Sequence, residues 1–236
     1  MSGCTPLFNK HRSSLMAVSN KNVATLPTAS DRESVALLKP IRTILLTFHI
    51  ESLSPLIQHR WSEKSLQQMR DKHQKKTGNT REKRDPEAEY KAAMYRDEDG
   101  AYGFPLHAMS SALLEAAHKD IGITKKNVSK AVFFSRPPRG GDDNIVPMTC
   151  SEPWQREDHV RLSMNSTDLR YRPQFDEWGA ELTVTIDIEL LHKDDFITLI
   201  NRAGFGVGIG EWRPEKGGEY GRFEIDTSKE MTEITL

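Results

Sequence analysis

The sequence predicts an α+β protein with a ferredoxin-like core, an antiparallel sheet covered on one face by two helices. One segment alternates strictly between apolar and polar residues, as a half-buried strand does. Two other segments follow the 3.6-residue period of an amphipathic helix. Strands and helices alternate in the order β, α, β, then β, β, α, β, with excursions. A chain of 236 residues, 36% hydrophobic and 28% charged, is long enough to bury such a core.

The first half of the chain contains a strand, a helix and a second strand. Residues 41–50 are rich in β-branched and aromatic side chains, and they are mostly apolar at both odd and even positions. A strand that is apolar on both faces is predicted to be central in its sheet. Phe104 and Pro105 open a helix with periodic apolar residues, and Gly122 ends it. Residues 132–134 predict the second strand.

The second half contains the clearest strand. Residues 160–164 alternate and predict a short strand, and residues 165–178 are expected to form a loop. Residues 182–190 alternate throughout, which predicts a strand with one buried and one solvated face. A helix then runs from Asp194, where negative charge favours the helix dipole, to Gly204. Residues 220–225 predict the last strand, which follows a glycine-rich loop.

The composition divides the chain into an arm, a domain and a tail. Residues 1–38 lack an apolar period and are expected to form a flexible arm. Residues 39–226 form the predicted domain, interrupted after its first strand by a long basic insertion at 62–100. Residues 227–236 are expected to be a carboxy-terminal tail.

Several classes of protein are disfavoured by composition. Two cysteines, Cys4 and Cys150, are too few for a disulfide framework or a four-thiolate zinc site. No apolar run approaches the roughly 20 residues that span a bilayer, and the first residues do not resemble a secretory signal. We therefore expect a soluble, cytoplasmic protein without a membrane partner, a metal or a cofactor.

Charge is distributed unevenly although the net charge is only −1. Residues 1–149 carry 23 basic and 16 acidic side chains, and the remainder carries 10 basic and 18 acidic ones. This asymmetry favours a face that binds anions, or copies of the chain that stack head to tail. Chance variation in surface charge is the alternative.

The glycine-rich segment has a glycine at every second position from 204 to 210. Such a segment leaves backbone amides unobstructed and permits positive φ, so phosphate is one possible ligand. A dinucleotide fingerprint follows a strand and opens a helix, whereas this segment follows a helix and precedes a strand. It also lacks the Gly-Lys-Ser/Thr of a P-loop. The alternative is a loop that needs glycine to pack between helix and sheet.

Three stretches resemble the repeat-associated mysterious protein (RAMP) superfamily, which includes backbone and guide-processing subunits of CRISPR effector complexes. They are TFHIESLSPLIQ at 47–58, YGFPLHAMSSALLEAAHK at 102–119 and DFITLINRAGFGVGIGEWRPEKGGEYGRFEI at 195–225. The usual basic residue of the first helix is replaced by Ser111 or His107, and the glycine pair expected after the first strand is missing. The glycine-rich ending also resembles that of a small family of phage-borne proteins.

The resemblance implies a modified RNA-recognition fold that binds single-stranded nucleic acid, RNA or DNA, commonly as a homo-oligomer along its ligand. Arginine and lysine near glycine amides suit phosphates, and aromatic rings near cations suit bases. The candidate binding residues are Lys72, Lys75, Lys76, Arg81, Lys83, Arg84, Arg170, Tyr171, Arg172, Gly206, Gly208, Gly210, Arg213, Lys216 and Arg222. The alternatives are a solvated charged insertion, and aromatic residues such as Phe175 and Trp178 that close the core.

Catalysis has less support in the sequence. Family members that cleave RNA use a histidine, or an aspartate after the first strand. His49, His59 and His107 are candidates for the first role and Glu63 and Asp71 for the second, but no spacing forces two of them together. We therefore predict a binding protein without catalytic residues. A nuclease on the same fold, and a phage assembly or inhibitor protein that acts through protein contacts, are the alternatives.

Overall fold

A computed structural model describes residues 40–61, 63–74, 84–118, 122–141, 144–163 and 166–236. The chain is mixed α+β with antiparallel sheets. Its strands are β1 (Thr43–Ser52), β2 (Leu56–Ile57), β3 (Gly103–Pro105), β4 (Val132–Phe134), β5 (Ile145–Pro147), β6 (Thr149–Cys150), β7 (Trp154–Ser163), β8 (Ser166–Phe175), β9 (Trp178–Asp187), β10 (Phe223–Ile225) and β11 (Thr232–Thr235). Its helices are α1 (Glu63–His73), α2 (Pro86–Ala92), α3 (Leu106–Ala116), α4 (Lys125–Ala131) and α5 (Lys193–Gly206).

The main sheet has the order β10-β1-β9-β4, with β11 also paired to β1 and β6 to β9. All of its pairs are antiparallel. The predicted central position of the first strand is confirmed, because β1 has neighbours on both edges. The predicted alternation is confirmed along β9, which buries Leu182, Val184 and Ile186 and leaves the intervening residues partly exposed. Leu190, at the end of the predicted strand, lies in the turn that follows.

Two predicted helices pack on the buried face of this sheet. Helix α3 begins directly after Pro105 and ends at Ala116, well before Gly122, and a separate helix, α4, follows it. Helix α5 carries Asp194 in its first turn, as predicted, and ends at Gly206. The rings of Phe48 on β1 and Phe196 on α5 meet edge to face with centroids 5.7 Å apart. The apolar stripes of both helices join the inner face of the sheet in one core.

A second sheet, with the order β2-β8-β7, occupies the region where a loop was predicted. The prediction for residues 165–178 is wrong, since residues 166–175 form β8 and pair antiparallel with β7. The short strand predicted at 160–164 is the end of β7, which begins at Trp154. The inward residues of β8 include Arg172 and Gln174, so the strand lacks the apolar alternation that identifies strands.

The remaining segments complete the sheets. Strands β3 and β5 form a two-stranded sheet, and β11 adds a strand from the segment expected to be a tail. The predicted arm at 1–38 and residues 75–83 of the insertion lie outside the described residues. In the described part of the chain, none of the helices has the length and apolar character needed to cross a lipid bilayer.

Candidate functional site at the glycine-rich segment

A cleft of about 220 Å³ lies between the end of β2, the start of α3 and the glycine-rich segment after α5. Its walls combine apolar side chains with two histidines and charged groups. Among the residues that line it are Leu56, Gln58, His59, Tyr95, Phe104, His107, Ala108, Ser111, Val207, Ile209, Glu211, Arg213 and Glu215. Segments that lie far apart in the sequence therefore build one site.

These segments correspond to the three stretches that carry the family resemblance. Leu56 and Gln58 belong to the first stretch, His107 to the second and Gly208 and Gly210 to the third. The sequence alone placed no two of these stretches side by side. Their common cleft is the feature from which we assign the site.

The backbone amides of the glycine-rich segment are largely used within the fold. Ile209 N–H donates to Gly221 O at 2.9 Å, and Glu211 N–H donates to Ile57 O at 2.9 Å. Gly221 N–H donates to Pro55 O at 2.8 Å. The first bond joins two parts of the segment, and the other two attach it to β2 and to the turn before β2, so these amides do not present an open phosphate cradle.

Two glycines of the segment are required by close packing. Gly208 and Gly210 have φ of +71° and +77°, a conformation that costs other residues energy. A Cβ on Gly208 would lie 2.9 Å from Pro214 Cδ, and one on Gly210 would lie 2.5 Å from Ile57 O. Gly206, at the end of α5, has open space where its Cβ would be. Gly208 and Gly210 therefore fit the alternative to phosphate binding, in which the loop needs glycine so that it can pack closely against its neighbours.

Two predicted cations beside the cleft share one carboxylate. Arg213 Nη2 lies 2.8 Å from Glu215 Oε2, and Arg213 Nη1 donates to Gly210 O at 3.0 Å. Lys216 Nζ donates to Glu215 Oε1 at 2.9 Å. The hydrogen bonds from Lys216 and Arg213 lower the pKa of Glu215. Both cations are therefore already paired, although each retains donors for a ligand.

Arg222, the last predicted cation of the segment, lies against an aromatic ring. Its guanidinium carbon is 4.4 Å from the centroid of Phe205, whose side chain is 65% exposed. Its Nε is buried and has no hydrogen-bond partner among the described residues. An exposed ring beside a cation offers a stacking surface for a base.

The predicted residues of β8 divide between its two faces. Arg172 is fully buried and pairs with Asp158 on β7 and with Glu211 of the glycine-rich segment, at 3.3 and 3.4 Å. Burial lowers the pKa of Arg172. Tyr171 is on the other face and only partly buried, and Arg170 Nε lies 3.8 Å from Asp168. The buried guanidinium of Arg172 thus holds the Glu211 side chain in place.

Arg156 on β7, which was not among the predicted binding residues, connects that strand to the glycine-rich segment. The guanidinium carbon of Arg156 lies 4.7 Å from the Trp212 ring centroid and 4.9 Å from that of Tyr220. Arg156 also donates to the Tyr220 hydroxyl at 3.0 Å. Trp212 has a positive φ of 51°, unusual for a bulky residue. In the sequence, the position of Trp212 inside the glycine-rich segment was the one feature that could have indicated this contact.

His59, one of three histidines considered as catalytic candidates in the sequence, has an unusual environment. Its Nδ1 is buried and has no hydrogen-bond partner within the described residues. Burial, and then the positive charges of Arg172 and Arg170, lower the pKa of His59 below its ordinary value of 6.5. The imidazole is therefore neutral at pH 7. His107 lines the same cleft.

Of the six cations of the basic insertion that were predicted to bind, Arg84 is the one whose side chain the structure describes. Lys75, Lys76, Arg81 and Lys83 lie outside the described residues, as does the side chain of Lys72. Arg84 pairs with Glu89 at 2.7 Å and with Asp168 at 2.5 Å. Its hydrogen bond to Glu89 is the largest cause that raises the pKa of Arg84. Arg84 thus connects the insertion to β8.

Comparison of the chain with protein-family models and with curated proteins found no match. Across the described ranges, there is no group of three or more histidine, cysteine, aspartate or glutamate side chains that could hold a metal ion. The cleft and its residues are therefore the basis on which a function is assigned.

Proposed function

We propose that this protein binds single-stranded nucleic acid in the cytoplasm, with the cleft at the centre of its binding surface and several copies side by side on one strand. The observation that carries the proposal is the convergence of the three family-like stretches on one cleft. The cleft has the small size of a site for one ring system, since drug-sized pockets are roughly 300–1,000 Å³.

The fold is also proposed to be ferredoxin-like, of the RAMP type. The supporting observation is the order of four strands, β1, β4, β9 and β10, which occupy the sheet as β10-β1-β9-β4 with every neighbour antiparallel. Helices α3 and α4 connect the first two of these strands, and α5 connects the last two. This order is consistent with the βαββαβ sequence of a ferredoxin-like unit in which strands β5 to β8 would be an insertion.

Exposed aromatic rings near arginines give the surface the chemistry that single strands require. Phe205 lies beneath Arg222, and Trp212 lies beside Arg156. Stacking of a base on an aromatic ring is worth about 1–3 kcal/mol and tolerates any base, and arginine adds attraction to phosphate. Phe205 lies at the start of the glycine-rich segment that forms one wall of the cleft, and Trp212 lies within that segment.

The test is incubation of the purified protein with labelled single-stranded RNA and DNA, with and without a divalent metal, followed by native and denaturing gels. Intact, retarded strands support the proposal, and shortened strands support a nuclease. Intact strands that are not retarded overturn both and favour a protein that acts through protein contacts. Phe205→Ala should weaken binding, whereas Leu190→Ala should not. Leu190 is the control, since it is an exposed apolar residue, at 48%, in the turn between β9 and α5, and it does not line the cleft.

A second candidate function, RNA cleavage without a metal, is favoured by the two histidines that line one cleft. A neutral imidazole such as His59 can accept the proton of a 2′-hydroxyl, and His107 is the second group available for proton transfer. In that case His59→Ala and His107→Ala each abolish cleavage but retain binding. A 2′-deoxynucleotide at the cleaved position should block the reaction, and cleavage that needs added metal would contradict this mechanism.

A further inference from the structure

The polar wall of the cleft contains one carboxylate held in a fixed position. Glu211 N–H is bonded to Ile57 O at 2.9 Å, which fixes the backbone, and Glu211 Oε2 lies 3.4 Å from Arg172 Nη2, which orients the side chain. Arg172 is itself buried and cannot move to solvent. The Glu211 side chain nevertheless remains 37% exposed, and Glu211 lines the cleft. The result is a preorganised acceptor of hydrogen bonds.

A second polar group of the wall lacks a partner. His59 Nδ1 is buried without a hydrogen bond among the described residues, and a buried polar atom left in this way is costly. His59 and Glu211 both line the cleft. A neutral imidazole has one N–H donor and one acceptor. Because Nδ1 is buried, a ligand in the cleft can meet the imidazole only through its other nitrogen, Nε2, which carries the N–H when Nδ1 is unprotonated. The wall therefore offers a carboxylate and an imidazole N–H.

Part of the lining is apolar. Leu56, Phe104, Val207 and Ile209 line the same cleft, and its volume of about 220 Å³ is too small for a drug-sized ligand. Apolar surfaces of this kind accept the faces of a flat heterocycle, whereas the polar wall can meet its edge. A flat ring with hydrogen-bonding edges is the ligand class that fits both.

We infer that the cleft holds an unstacked guanine base of the bound strand, with Glu211 accepting hydrogen bonds from its N1–H and N2 amine and His59 donating to its O6. This inference rests on the nucleic-acid binding proposed above. Guanine has two adjacent donors next to an acceptor along this edge. Adenine and uracil each place an acceptor opposite the carboxylate, which leaves buried groups unpaired.

The test compares short oligouridylates that differ at one internal position. Fluorescence anisotropy should show that a strand with one guanosine binds about tenfold more tightly than the strand with adenosine, the factor expected of one good bidentate contact. Inosine, which lacks the N2 amine, should give an intermediate affinity. Glu211→Gln should remove the preference, so that the guanosine and adenosine strands bind equally.

Two further variants make the outcome decisive. Glu219→Gln is the matched control, since Glu219 is exposed in the same glycine-rich segment and does not line the cleft. Ala108→Leu fills the cleft without removing a charge, so it should also remove the preference, even if Glu211→Gln folds poorly. Equal binding of guanosine and adenosine strands overturns the guanine site alone. Failure of every strand to bind overturns the proposed function and the guanine site together.

Discussion

Arg172 on β8 and Asp158 on β7 form an ion pair almost entirely removed from water, with side chains 1% and 2% exposed and Nη1 3.3 Å from Oδ2. Asp158 also accepts from Arg156 Nε at 2.6 Å, so its loss removes a partner from two arginines, although Glu211 still faces Arg172. Breaking a buried pair costs about 3–5 kcal/mol. We expect Asp158→Ala to lower the free energy of unfolding by about that amount in urea titrations. Asp99→Ala is the control, because its pair with Arg139 is exposed and such pairs contribute at most about 1 kcal/mol. Equal losses of unfolding free energy in Asp158→Ala and Asp99→Ala would contradict the view that the buried pair of Arg172 and Asp158 stabilises the fold.

Replacement of Gly208 by valine should reduce stability. The left-handed backbone costs a non-glycine residue about 1–3 kcal/mol, and the new side chain would press on Pro214. Thermal unfolding should therefore begin at a lower temperature in Gly208→Val. Gly206→Ala is the control and should show no such loss, since its Cβ meets open space. An unchanged melting temperature together with lost strand binding would instead assign Gly208 to ligand contact.

The environment of His59 predicts a pH dependence of stability. Its pKa in the folded chain is below the ordinary value of 6.5, so below that pH the unfolded chain binds a proton that the folded chain does not. Stability is therefore complete above pH 6.5 and falls as the pH decreases toward the folded-state pKa.

The measurement is the change in melting temperature between about pH 8 and about pH 5. The decrease should be smaller in His59→Gln than in the native chain. His159→Gln, on the exposed surface of β7, should retain the native decrease. A decrease that is unaffected by His59→Gln would assign the acid sensitivity to other groups.

The insertion is expected to contribute to binding through charge. Replacing Lys72, Lys75, Lys76, Arg81 and Lys83 by glutamine should weaken binding, and each lost phosphate contact should reduce the salt slope by about 0.7. Arg84→Gln alone should leave the slope unchanged, because Glu89 and Asp168 already hold Arg84. Affinities measured over a series of salt concentrations give both slopes. If the variant with all five substitutions has the same salt slope as the native chain, the insertion has no electrostatic role in binding.

The main sheet was predictable because its strands follow simple patterns. Residues such as Val184 and Ile186 alternate with polar neighbours, and period two determines which side chains are buried. Strand β8 was not predictable in this way. Its inward face is polar, and Arg172 is buried only because Asp158 and Glu211, on other segments, neutralise it.

The cleft was only partly predictable. The glycine-rich segment was singled out by its spacing, but its amides are used for internal bonds that depend on the turn before β2. His59 and His107 were indistinguishable from other histidines in the sequence, because tertiary packing alone places them in one cleft. Strand β11 was missed because all four of its residues are exposed and carry no apolar pattern.

The position of β1 in the main sheet has a consequence for synthesis of the chain. Its neighbours β9, β10 and β11 all begin at or after Trp178, whereas β1 ends at Ser52. At about 5–20 residues per second, the ribosome needs roughly 5 to 40 s to supply them. During that interval Leu46 and Phe48 belong to a nascent apolar segment with two unpaired edges. Chaperones that bind extended apolar segments would therefore be able to bind this chain at β1, while its later strands are still being translated.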